Sequence, residues 1–311
     1  MSRGVTGRRA LRGVARTALI AALAACGRSA PPRDQPPAPT ATATATATAT
    51  GSATTTGAGT SPDADAASAS ASASASASAP ASASASVIPA ATRQLVTAIV
   101  PDWDATTAEL RLWSRAGDGA GWVAAGPAWQ AVFGKTGAAW GAGLHGVGAP
   151  AGEAGPVKRE GDGKSPAGVF ALRGGYGYAA APPPGTALPY TAVDPSWKCV
   201  DDPASRHYNQ IVDADAAPAD WHSAEDMRRT DALYTWVVDV AHNPANTGGA
   251  GSCIFLHVWR SPTAPTVGCT AMPEPALAQL IAALHPAAHP AYVLLPRARY
   301  DALASAWALP R

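Results

Sequence analysis

The chain has 311 residues, 23 Lys and Arg against 22 Asp and Glu, ten tryptophans and four cysteines. A net charge of +1 leaves no basic footprint, so nucleic acid is excluded as a partner. The length after the low-complexity segment described below suits one globular domain rather than several.

Residues 1–25 join an Arg-rich start, a short apolar stretch and a small-residue end, the layout of an export signal. The apolar part, 18–25, is far too short to span a membrane. Its end, Leu23-Ala24-Ala25-Cys26, resembles the bacterial lipobox, in which cleavage before the cysteine accompanies lipidation of that thiol. Two or more acyl chains anchor stably, so a membrane is an expected partner through Cys26. Arg8-Arg9 is a partial match to a twin-arginine signal. Cleavage removes five arginines and no acids, taking the charge from +1 to −4.

Residues 26–90 read as a disordered linker of alternating Ala, Thr, Ser and Pro; from Ser29 to Ser86 it has no large apolar side chain to bury. A flexible chain of roughly 60 residues has an end-to-end distance of about 40–45 Å, enough to tether a domain near an anchor. Residues 91–311 then form the folded domain. Gln94 to Val100, Glu109 to Ser114, Trp129 to Gly134, Gly168 to Leu172, Tyr234 to Asn243 and Ala291 to Leu295 are β-branched or aromatic runs bounded by turn residues, and read as strands. Glu274 to Leu284 alone reads as a helix: Leu277, Leu280, Ile281 and Leu284 fall at i, i+3, i+4 and i+7, with prolines at 273 and 275 suited to its start. The expected fold is mainly β with few helices. Gly-Asp-Gly-Lys-Ser at 161–165 is not a phosphate loop, because the position five residues before Gly163 holds Lys158 and not glycine, and Pro166 follows.

With Cys26 assigned to lipid, three cysteines remain, and an odd thiol in an exported protein invites a chemical explanation. In Cys-Ile-Phe-Leu-His-Val-Trp, 253–259, alternation puts Cys253 and His257 on one face, yet about 13 Å apart along a strand. The turn-forming Ser-Pro-Thr-Ala-Pro, 261–265, can instead return the chain and set Cys269 beside the imidazole. Cys199 and Cys253 are then left as a disulfide or as two buried thiols. His257 is the base that raises the thiolate fraction of Cys269, and Gly268 permits a tight turn that exposes the N–H groups of 267–269 to a developing oxyanion. Zinc is a competing use of Cys253, His257 and Cys269, but no CxxC pair exists. A structural role for both residues is the plain alternative.

A strand-borne His followed by Ser/Thr-x-Gly-Cys, here His257, Thr266, Gly268 and Cys269, resembles the signature of the LD-transpeptidase catalytic domain, the YkuD-like family. Gly-Asp-Gly-Lys-Ser-Pro-Ala-Gly-Val-Phe, 161–170, is similar to its Thr-Pro-x-Gly-x-Phe element, and segments 197–209 and 220–227 resemble one subgroup. The resemblance implies a YkuD-like β-sandwich or barrel and no cofactor. It implies peptidoglycan stem peptides as partners, attacked by Cys269 to give a thioester that an amine resolves into a cross-link, or water into a trimmed stem. His257 is then general base and acid, the backbone of Gly268 and Cys269 donates to the oxyanion, Thr266 supports turn or substrate, and the carbonyl of Val258 orients the ring. Many members carry Gly after the histidine and Arg or Asn two residues past the cysteine; Val258 and Ala271 stand there instead. Arg260, Tyr208 and Glu225 are candidates to supply the missing substrate contact, and Asp201 with Asp202 to bind an amine or cation. A monomer is expected. The rival class is a wall-binding lipoprotein with an inert thiol.

Overall fold

The computed structural model describes residues 86–311. The export signal, Cys26 and all but the last few residues of the expected linker lie outside the described residues. Folded structure begins before the expected boundary at residue 90: Ile88 is 2% exposed within the main core, and Ser86 Oγ donates to the Trp307 carbonyl at 3.0 Å.

The described residues are mainly β, and eight strands close a barrel. Around it run Trp236–Val240, Phe255–Val258, Thr270–Met272, Val123–Val132, Thr107–Ser114, Gln94–Val100, Ala291–Pro296 and Ser165–Gly177, which pairs again with Trp236–Val240. Closure leaves no free edge in that ring. Two neighbouring pairs are parallel, Gln94–Val100 with Ala291–Pro296 and Phe255–Val258 with Thr270–Met272; the others are antiparallel. Ala291–Pro296 is buried at every residue, as expected of a strand covered on both sides. The helix Arg297–Leu303, absent from the sequence reading, lies against it and against Gln94–Val100.

The helix Glu274–Ala283 forms as its periodicity predicts, with Leu277, Leu280 and Ile281 buried against Phe255–Val258 and Trp236–Val240. Burying each such side chain contributes about 1.5–3 kcal/mol. The helix thus braces the strand that carries His257 from behind.

A second, three-stranded sheet runs Ile211–Asp213, Trp197–Val200, Ala224–Asp226. A Cys199–Cys253 disulfide, Cα–Cα 6.0 Å, staples it to the chain two residues before the His257 strand. Cys253 is not part of that strand; its φ of 54° is left-handed, a strained backbone for a non-glycine residue. Replacing both cysteines by serine is expected to lower unfolding stability by about 2–4 kcal/mol. The shift of the urea midpoint measures it, and an unchanged midpoint would show that packing alone holds the small sheet.

Candidate active site

Parallel strands cannot be joined by a tight hairpin. The chain therefore leaves Phe255–Val258, crosses through 259–269 and returns alongside as Thr270–Met272, pairing His257 with Ala271. Because side chains alternate, Cys269 projects to the same side as Ala271, and the Cα atoms of Cys269 and His257 fall about 8 Å apart. Both side chains line one cavity of about 350 Å³, with Tyr234, Glu225, Arg229 and Arg260. A larger cleft of about 470 Å³, between Thr107–Ser114 and the C-terminal residues, holds neither thiol nor imidazole.

The crossing is pinned at Thr266. Its N–H donates to the Phe133 carbonyl at 2.7 Å and its carbonyl accepts from Lys135 N at 2.8 Å. Its hydroxyl donates to the Cys269 carbonyl at 2.6 Å and accepts from Gly268 N at 3.1 Å. Ser165, fully buried at the start of its strand, accepts from Gly134 N at 2.9 Å and donates to the same Cys269 carbonyl at 3.0 Å. Two hydroxyls on one carbonyl fix the peptide after Cys269. Gly268, at φ 154°, is backbone that L side chains rarely adopt, and a Cβ there would stand 3.2 Å from the Lys164 carbonyl oxygen.

His257 is 7% exposed, and its Nδ1–H donates to the Val258 carbonyl at 2.8 Å. That bond selects the tautomer whose Nε2 can accept a proton. The ring also meets Tyr234 edge to face, with centroids 5.2 Å apart. Burial pushes the imidazole down to about 4, Val258 works against that, and Arg229 adds to it, so the ring is neutral at pH 7. Burial, then Glu225, pushes the Cys269 thiol up. Its Sγ–H donates to the Cys253 carbonyl at 3.4 Å. The resting pair is therefore thiol and neutral imidazole, with burial opposing the rise in thiolate fraction that the sequence reading assigns to His257. Desolvation outweighs the positive neighbours because the sulfur is sealed among Phe255, Tyr234 and the disulfide.

A second cavity of about 250 Å³ opens beside Cys269, lined by Glu160, Asp201, Lys135 and Ser252. Cys269, Val267 and Glu225 line both cavities. Glu225 sits in the small sheet, opposite Cys199, and accepts a hydrogen bond from the Tyr234 hydroxyl at 2.6 Å.

The structure brings Cys269, His257, Thr266, Arg260 and Glu225 together, and the disulfide carries Cys199 and Cys253. Two placements, those of Gly268 and Tyr208, correct the sequence reading, and the Val258 carbonyl takes the place expected of it. Gly268 does not offer its N–H to an oxyanion, since Thr266 takes it; Cys269's N–H makes no such bond. Val258 contributes its carbonyl, while its side chain packs into the main core and not against a substrate. Tyr208 is buried away from both cavities, its hydroxyl donating to Glu160 and accepting from Gly251 N at 3.1 Å, so it supports the second cavity from behind. Asp202 caps a turn by accepting from Ala204 N and His222 N. Tyr234 and Ser165 escaped the sequence reading as site residues. Ser165 lies within the element that carries the resemblance; Tyr234 has no local signal, since it begins an ordinary strand-like run.

No family model, curated protein or solved structure matches this chain.

Burial also holds His242 down to about 4. In the unfolded chain, both histidines titrate near 6.5. Between these values only the unfolded chain binds the protons, so the stabilisation is complete above pH 6.5 and is lost as pH falls through about 4. Each histidine is expected to withdraw about 2–3 kcal/mol between pH 7 and 4.5. Glu225 and Asp239, raised by burial, act in the opposite sense. The check is therefore a difference: urea unfolding of His242→Gln should lose about 2 kcal/mol less than the native chain over that interval. An equal loss would mean that His242 is protonated in the fold.

Proposed function

We propose that this protein is a cysteine acyltransferase of the LD-transpeptidase type, acting on peptidoglycan stem peptides and held at a bacterial membrane through lipidated Cys26. The observation that carries the reading is an imidazole on one strand and a thiol on the residue that leads into the neighbouring parallel strand, facing one cavity, with the ring tautomer set by Val258. Rotation about the Cys269 Cα–Cβ bond moves Sγ from the Cys253 carbonyl toward His257 Nε2. The sulfur then attacks the peptide carbonyl as its proton passes to the ring, and the imidazolium hands that proton to the departing amine. A concerted transfer suits a buried thiol, because no isolated thiolate has to form first. The N–H of Cys269 is the backbone donor left for the oxyanion. The exposed Arg260 at the cavity rim complements the terminal carboxylate of a stem.

The test is mass spectrometry of purified muropeptides incubated with the protein. Cross-linked dimers and a protein adduct of one acyl-stem mass are expected. Release of the terminal residue without any dimer would replace the transferase with a hydrolase, and unchanged muropeptides without adduct would leave a wall-binding protein.

A further inference from the structure

Proton balance at this site requires one more base than His257 provides. This requirement rests on the proposed acyl transfer. In its first half, Sγ–C forms, C–N breaks, and the thiol proton reaches the leaving amine through His257. At neutral pH that amine departs as an ammonium and so takes up a second proton. In the second half an acceptor arrives as an ammonium. It must shed one proton before its lone pair can attack the thioester; a second proton is lost as N–C forms and C–S breaks, and His257 returns this one to sulfur. With Nδ1–H committed to the Val258 carbonyl, His257 has a single working nitrogen and is fully used by the sulfur.

Glu225 is placed for the remaining proton. It reaches the junction of the two cavities together with Cys269. One carboxylate oxygen, Oε2, is held by the Tyr234 hydroxyl, and that ring stacks edge-on against His257, which fixes the carboxylate relative to both reacting groups. Among the described residues Oε1 has no hydrogen-bond partner, the Tyr234 hydroxyl being on Oε2. The charged groups facing it are Asp201 and Glu160 on the smaller cavity and Arg229 on the larger, with Arg229 already paired to Asp231 at 2.9 Å. Two lysines also line the smaller cavity, Lys135 and Lys158, the second paired to Asp162 at 2.6 Å, against the three carboxylates Glu160, Asp201 and Glu225. Among the described residues Asp201 Oδ1 is buried without a hydrogen-bond partner, and Asp201 also lines the smaller cavity. Burial raises the Glu225 carboxyl, the Tyr234 hydroxyl works against that and Asp201 adds to it, a shift toward the pH at which a carboxyl both gives and takes a proton.

We propose that Glu225 is a second acid–base residue, giving a proton to the departing amine and recovering one from a cationic amine acceptor that enters through the smaller, carboxylate-lined cavity. The cycle closes: protonated Glu225, thiol and amide give carboxylate, thioester and ammonium, and the second half reverses each of these. No net proton is gained or lost over one turnover.

The test uses the full chain and Glu225→Gln, which keeps an oxygen for Tyr234. Thioester formation is followed by intact mass. Its resolution is then timed at pH 7 with two amines, a stem peptide bearing a side-chain ammonium and methoxyamine, which is already unprotonated. Glu225→Gln is expected to slow resolution by the ammonium about 10²-fold, with methoxyamine affected less than about 3-fold. Equal slowing of both amines, or of neither, overturns the proposal and leaves Glu225 a packing residue. Should the variant not fold, the native protein decides: resolution by the ammonium should level off well below that amine's own pKa, and a rise that tracks the amine's pKa throughout overturns it. Absence of any thioester in the native protein instead brings down the acyl-transfer reading, and this proposal with it.

Discussion

Replacing Cys269 by alanine is expected to lower turnover of stem peptides by about 10⁴-fold or more and to eliminate the acyl adduct. The described residues contain one free thiol, Cys269, because Cys199 and Cys253 are bonded to each other. No other sulfur can therefore take over the attack within this domain. The fold should survive: Sγ makes a single weak hydrogen bond, to the Cys253 carbonyl, and its peptide is fixed through the backbone carbonyl by Thr266 and Ser165, which alanine leaves in place. Urea unfolding should stay within about 2 kcal/mol of the native chain, the price of a small buried side chain. Turnover that persists in a folded Cys269→Ala protein would move the nucleophile elsewhere and end the reading.

His257→Gln is expected to slow thioester formation by about 10²–10⁴-fold. The imidazole is neutral at pH 7 and presents its unprotonated nitrogen while the other donates to Val258; glutamine can repeat the donation but cannot move a proton. The rate loss should fall on kcat, since the ring does its work as the proton leaves sulfur. An unchanged rate would make His257 a core histidine packed on Tyr234 and Phe255. Alkylation of Cys269 in the free protein should be slow at pH 7 in native and variant alike, because burial rather than the ring dominates the resting thiol. Slow labelling is thus expected of an enzyme here, and does not by itself indicate an inert binding protein.

Much of the barrel is legible in sequence because its strands are built from residues that can do little else. Gln94–Val100 matches its expected span, and the helix ends one residue short of the expected Leu284. Ser165–Gly177 runs well beyond the expected 168–172, through Gly174, Gly175 and Gly177, residues that weaken a strand when considered locally. Gly177 is required by what passes over it: a Cβ there would sit 2.4 Å from the Thr235 carbonyl oxygen. The three-residue strands at 211–213 and 224–226 carry no periodicity to detect, and exist through their pairing to Trp197–Val200.

By itself, the sequence determined where apolar runs end and turns begin, that the cysteines left after Cys26 are odd in number, and that His257 and Cys269 stand on either side of a turn-forming segment. These are local properties, fixed by side-chain type and spacing. Tertiary structure alone decided that this segment becomes a parallel crossover, that Gly268's N–H goes to Thr266, and that Tyr208 serves Glu160 while Tyr234 joins His257 to Glu225. Each of those depends on groups far apart in the chain competing for the same donor, acceptor or volume, and such a competition has no outcome until the barrel closes.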